Sequence, residues 1–208
     1  MRLKRPPPAK IAIDGIDASG KTTLADELAV FLQQTGHPII RASIDGFHNP
    51  REVRHQRGPL SPEGYFYDSF DYPTLKKLLL VPLSENGDLH YQAALFDFRT
   101  DGAVKAPIEI APPNAILLFD GVFLQRPELT AYWDFTIFVD VSFEVALARA
   151  LERDLPLFGD KAVVLGRYQK RYIPAQRHYM DLCHPRDHAN IVVENDDPPN
   201  ARLIFKQL

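Results

Sequence analysis

Gly15-Ile16-Asp17-Ala18-Ser19-Gly20-Lys21-Thr22-Thr23 is the stretch on which the reading of this chain turns. It satisfies G-x-x-x-x-G-K-[ST], the Walker A pattern, at every constrained position. Residues 10–14 just before it form a short apolar run suited to a buried strand. After it, Leu24, Leu28, Phe31 and Leu32 recur at helical spacing across residues 22–34. Strand, glycine loop and helix in that order aim free backbone N–H groups and the positive end of a helix dipole at one point. Gly15, Asp17, Ala18, Ser19, Gly20, Lys21, Thr22 and Thr23 are therefore predicted to cradle the phosphates of ATP or GTP. Lys21 would reach the β- and γ-phosphates, and the Thr22 hydroxyl would ligate Mg²⁺.

Outward from the loop, short runs rich in Ile, Val and Phe lie at 10–14, 38–44, 115–119, 136–141 and 189–194. Runs that are apolar throughout suit strands covered on both faces. Helices are predicted at 22–34, 72–79, 142–154 and 161–182, with Ser142 as an N-cap. The alternation predicts an α/β fold of P-loop NTPase type: a five-stranded parallel sheet with helices on both faces and a helical lid near 149–167. Pro and Gly concentrate at 49–67 and 81–113, and the second segment reads as an inserted hairpin region. Residues 1–8 read as a short flexible tail. With 208 residues, 45% hydrophobic, the chain suits one domain around one core.

The net charge of -3 gives no general attraction to nucleic acid or to an acidic membrane. Cys183 is the only cysteine, so no intrachain disulfide forms, which suits the reducing cytoplasm. No apolar run approaches the ~20 residues that span a bilayer, and the basic start lacks the apolar core of a secretory signal. The expected partner is a small-molecule substrate; homo-oligomerisation is left open.

Ligands in such folds bind beyond the carboxyl ends of the strands. Three acids fall there: Asp14, Asp45 and Asp120. Phosphoryl transfer needs one acid to hold Mg²⁺ and one to orient or deprotonate the attacking hydroxyl. Asp120 follows Leu117-Leu118-Phe119 and reads, with Thr22, as a metal ligand. Asp45 is placed to meet the acceptor, whereas Asp14 reads as shaping the loop. His48, Arg51, Arg54, His55 and Arg57 make a basic segment just after Asp45. Arginine forks bind phosphate bidentately, although such a loop can equally be solvated.

Taken together, 15–23, Asp45-Gly46-Phe47-His48, Phe70-Asp71-Tyr72-Pro73, Phe96-Asp97-Phe98, Phe119-Asp120-Gly121 and Arg149…Arg153-Asp154 resemble the uridine kinase and phosphoribulokinase group of small-molecule kinases. The resemblance covers almost the whole chain. It implies Asp45 as catalytic base, Asp71 on a ribose, Phe96 and Phe98 around a base, and Arg149 and Arg153 on the transferring phosphoryl. Lys21, Asp45 and Arg153 are then the catalytic set. Phe47, His48, Arg54, Phe70, Asp71, Phe96, Phe98, Arg149 and Arg167 are the expected substrate contacts.

Departures from the group are specific. Asp101 stands where uridine kinases place a base-reading histidine, Arg167 where they place a glutamine, and Asp160-Lys161 where another lid arginine is expected. An amine- or amide-bearing acceptor would suit Asp101. A histidine three residues after the base is instead phosphoribulokinase-like. A nucleoside such as uridine is the leading acceptor, with a sugar phosphate or a pantothenate-like alcohol as the alternative. A nucleotide-dependent switch or ATPase would instead need a glutamine or glutamate to position water. The adenine is expected near 195–200.

Overall fold

Side chains alternate between two faces along the central strands, and that alternation builds the layers. The computed structural model describes residues 7–206, so the first six residues of the expected tail lie outside the described residues. The strands are β1 (Ala9–Gly15), β2 (Ile39–Ser43), β3 (His90–Tyr91), β4 (Phe96–Asp97), β5 (Gly102–Ala103), β6 (Glu109–Ile110), β7 (Ile116–Gly121), β8 (Phe135–Asp140), β9 (Ile191–Glu194) and β10 (Arg202–Phe205). The main sheet runs β10-β9-β8-β1-β7-β2. Its β9, β8, β1, β7 and β2 are parallel, giving the expected α/β core. The sequence reading missed β10, an antiparallel edge strand that pairs Leu203 with Val193.

The helices are α1 (Lys21–Gln34), α2 (Arg51–Arg54), α3 (Pro62–Asp68), α4 (Tyr72–Leu75), α5 (Pro127–Thr130), α6 (Phe143–Phe158), α7 (Lys161–Arg167), α8 (Ile173–Cys183) and α9 (Pro185–His188). On one face, Ile13, Leu118, Val139 and Val193 pack with Ala25 and Ala29 of α1. On the other, Ala12, Leu117 and Phe119 pack with Tyr65, Phe66, Leu75 and Tyr179 from α3, α4 and α8. Cys183 is buried in that second layer, and burial pushes its thiol up to about 11.

Several helices differ from expectation; the one expected over 72–79 is α4 followed by a π-helical turn at Lys76–Leu80. The predicted helix over 161–182 is divided into α7, a π-helical turn at Tyr168–Tyr172 and α8. Pro174 follows that turn; it has no N–H to continue the ladder, so the register slips by one residue before it. α6 runs on to Phe158 and stops at Gly159, whose φ of 73° ends it in the left-handed region. α3 forms inside what read as loop: Ser61 accepts from the Gly64 N–H at 3.0 Å, with Pro62 in the first turn.

Within residues 81–113, β3 pairs with β6 and β4 with β5. This excursion seats on the core at Gly46: Leu95 donates its N–H to the Gly46 carbonyl at 2.8 Å. A Cβ on Gly46 would lie 2.8 Å from the Ala94 methyl, so only glycine allows the approach.

Candidate active site

β1 ends at Gly15 between β7 and β8, which sets the glycine loop at the carboxyl edge of the sheet. Gly20 adopts φ 95° and leads into α1 without a side-chain cap. The first-turn N–H groups of Lys21, Thr22 and Thr23 therefore lack intrahelical partners and a capping side chain, as anion binding requires. The Ser19 hydroxyl is buried with no hydrogen-bond partner among the described residues. Those unsatisfied donors fit a phosphate chain. Lys21 donates from Nζ to the Ile16 carbonyl at 3.1 Å. Asn195 donates to the Ser19 carbonyl at 2.7 Å and underlies Gly20, where a Cβ would sit 2.8 Å from its nitrogen.

Two acids flank the loop differently. Asp14 is fully buried and accepts from Tyr179, Gln125, Gly15 and Leu124. Burial pushes its carboxyl up, against the lowering effect of those bonds. It thus anchors the start of the loop. Asp17 turns its carboxylate to Tyr65 and Gln176.

Thr22 donates its hydroxyl to Asp120 Oδ2 at 2.6 Å. The two oxygens converge as a Mg²⁺ site that leaves other positions to phosphate and water would require. Among the described residues no group of three His, Cys, Asp or Glu side chains could hold a metal by itself. Arg41 completes the arrangement, binding Asp120 Oδ1 and reaching Asp26 at 2.7 Å. Arg41 escaped the sequence reading; its signal was a lone charge inside the apolar strand β2.

Asp45 lies one residue past the expected strand end of 38–44, in a 3-10 turn at Ile44–Phe47, and Ser43 Oγ accepts from its N–H at 3.4 Å. Ser43 also donates to the Asp120 carbonyl at 3.1 Å, joining the two acid-bearing strand ends. Asp45 keeps 59% of its side chain open to solvent. Desolvation there opposes ionisation, but the bond and charge of His48, with Lys21 and Arg153, hold its carboxyl below the usual range. His48 Nε2 is 3.5 Å from Asp45. Its Nδ1 lies 3.0 Å from the Ser69 carbonyl, an acceptor only, so Nδ1 carries a proton, and the bond and charge toward Asp45 need a second proton on Nε2.

The other expected contacts are distributed as follows. His48 packs against Phe70 at 4.5 Å and Phe98 at 5.3 Å between ring centroids. Phe96 is half-buried in β4, opposite Ala103. Asp71 accepts from the Thr74 N–H at 3.0 Å, capping α4. Phe47 and Phe70 are corrected: they are 2% and 4% exposed and belong to the main core, so neither ring is open to a ligand. Arg54 and Asp101 pair at 2.6 Å, so Asp101 is already neutralised and is corrected as an amine receptor. Arg149 donates to the Asn195 and Asp196 carbonyls, and so bears on the loop after β9. Arg153 is held by Asp154 and Tyr168. Arg167 lies over the Phe158 ring at 4.5 Å. Lys161 is exposed at the start of α7.

A glycine loop between a parallel strand and an uncapped helix, facing a strand-end acid, defines a P-loop phosphotransferase. The chain belongs to the phosphoribulokinase/uridine kinase family, whose model matches residues 10–197. It is accordingly a kinase with an alcohol group as acceptor. It is similar to a uridine kinase of Ligilactobacillus salivarius, 25% identical over 198 residues that cover 89% of this chain and 88% of that one. A structure of a provisionally named fructose transport system kinase from Silicibacter sp. matches with a TM-score of 0.70 and 26% identity, covering 87% and 88% of the two chains. A possible uridine kinase from Bacillus stearothermophilus shares the fold, with a TM-score of 0.69, 23% identity and 92% and 91% coverage. Among the described residues, no helix is long and apolar enough to cross a membrane.

Proposed function

We propose that this kinase moves the γ-phosphoryl of ATP, with Mg²⁺, to a hydroxyl of a nucleoside such as uridine. The observation that carries the transfer chemistry is Asp45, held ionised at the cleft by His48 and by the charges of Lys21 and Arg153. An ionised carboxylate there accepts the proton of an acceptor hydroxyl. Phosphoryl transfer through a loose transition state depends chiefly on positioning and charge neutralisation, so a weak base suffices. Thr22 and Asp120 would hold Mg²⁺, which supplies a Lewis acid for the phosphate oxygens. Lys21, with Arg153 released from Asp154, would neutralise the charge that develops. The purine would lie against a cleft of about 460 Å³ lined by Ser142, Asn195, Asp196 and Asn200, next to the glycine loop.

The nucleoside reading is supported by relatives named uridine kinase and by the Asp71 and Phe96/Phe98 segments. A second reading, a sugar or sugar phosphate, is favoured by the Arg54–Asp101 pair, which removes the free base-reading side chain. A coupled ATP-consumption screen over uridine, cytidine, D-fructose, D-ribulose 5-phosphate and pantothenate tests both. Turnover with uridine or cytidine that collapses in Asp71→Ala supports the nucleoside; turnover confined to sugars overturns it.

A further inference from the structure

A carboxylate within a loop built for phosphates repels its own ligand unless it is turned away and held. Asp17 is held by two groups that both donate to Oδ2: the Tyr65 hydroxyl at 2.9 Å and the Gln176 side-chain amide. These partners lie 48 and 159 positions away in sequence, on α3 and α8. Neither can readily swing away. Tyr65 is set edge-on against Phe123 at 5.2 Å and Tyr172 at 4.8 Å, and Gln176 is 2% exposed. A buried polar contact fixed by packing on both sides specifies one arrangement of the elements that it joins.

The same helix reaches the base. The Ser69 carbonyl just past α3 accepts the Asn49 N–H at 2.9 Å as well as His48 Nδ1, and His48 faces Asp45. A continuous path of contacts thus runs from the phosphate loop through Asp17, Tyr65, α3, Ser69 and His48 to Asp45. We propose that Asp17 is a positioning residue that keeps the phosphate loop in register with α3 and α8, and so keeps the γ-phosphoryl aligned with the acceptor hydroxyl at Asp45. The functional consequence rests on the kinase chemistry proposed above. Misalignment of about 1 Å costs around a hundredfold in rate. A loosened register would also admit water to the γ-phosphoryl, so that hydrolysis competes with transfer.

The test uses Asp17→Ala, Tyr65→Phe and Asp17→Asn in the full chain, with Mg·ATP and the best acceptor of the panel above. ADP released is measured against phosphorylated alcohol formed. In Asp17→Ala and in Tyr65→Phe, transfer should fall about ten- to a hundredfold, with the KM for ATP little changed and more ADP released per product. The double variant should be no worse than Asp17→Ala, which already loses the Tyr65 contact along with that of Gln176. Asp17→Asn should recover most of the transfer, since one amide oxygen can accept both bonds. Proportional loss of transfer and hydrolysis, additive effects, or an Asp17→Asn as impaired as Asp17→Ala would overturn the assignment. Amide hydrogen exchange gives an arm independent of turnover: Asp17→Ala should raise exchange in α3 as well as in the loop, and an unchanged α3 overturns the proposal. If no alcohol raises ADP release by the unaltered protein, the substrate reading fails instead, and the exchange result alone decides this one.

Discussion

Arg41 sets both terminal nitrogens of its guanidinium 3.1 Å from Oδ1 of Asp120, while Thr22 donates to the other oxygen of the same carboxylate. Asp120 is 2% exposed in its side chain, and Arg41 26%. Arg41→Ala would leave that carboxylate with one partner fewer. The cost is expected at about 1–2 kcal/mol, at the lower end because solvent screens Arg41 in part. With a positive charge removed, Mg²⁺ should half-saturate the enzyme at a lower concentration. Urea denaturation and a Mg²⁺ titration of activity check both; unchanged Mg²⁺ dependence would place Arg41 outside metal binding.

Lys21→Ala removes the charge that follows the γ-phosphoryl, while the backbone donors of the loop remain. Turnover should fall about a hundred- to a thousandfold, with the melting temperature of the free protein little altered. Thr22→Ala should instead raise the Mg²⁺ requirement. Near-normal turnover in Lys21→Ala would refute the phosphate-loop role.

Asp45→Asn should lower kcat by roughly a hundredfold or more while nucleotide binding, measured by calorimetry, stays nearly constant. An equal loss of nucleotide affinity would move Asp45 to the metal.

The pH dependence of Asp45 has a defined sign. Its carboxyl is held below the ordinary 3.8, so its favourable interactions are fully present above that value and are lost as pH falls through the lowered one. The base therefore remains ionised across neutral pH. His48→Gln removes a principal cause of the lowering, leaves the desolvation, and should move the acid limb of kcat to higher pH. A limb that stays in place would show that another group sets it.

Gly46→Ala puts a methyl against Ala94, in a contact of 2.8 Å to its Cβ. Either the turn carrying Asp45 or the 93–95 segment has to shift, at about 1–3 kcal/mol. Stability and kcat should fall together, as thermal melting and initial rates would reveal; an intact kcat would mean that the excursion alone gives way.

Much of this architecture was legible because the central strands are predominantly apolar and the glycine loop is a local pattern. Ile11 through Leu32 declare strand, loop and helix without help from the rest of the chain. β10 was missed because four residues after a Pro-Pro step carry little signal, and their pairing to β9 is decided by tertiary contact. α3 was hidden by the surrounding Pro and Gly, although Ser61-Pro62 is a helix start. At the site, Asp45 and Asp120 followed from strand-end position. Arg41, Gln176 and the pairing of Arg54 with Asp101 did not, because each depends on partners distant in sequence. The burial of Phe47 was equally out of reach: adjacent residues in a tight turn face opposite ways, and the sequence does not say which way is inward.

The seat at Gly46 carries a consequence for how such a chain diversifies. The excursion over 81–113 meets the turn that bears the base at the bare Gly46 backbone, and beside it through Phe98 on His48 and Asp101 on Arg54. Its own two small ladders are closed within the segment. A lineage that exchanges this segment has to refit only the contacts around Gly46, His48 and Arg54, while the glycine loop, Lys21 and Asp120 stay untouched. New acceptors become reachable by swapping one cassette, and the phosphate chemistry is inherited whole.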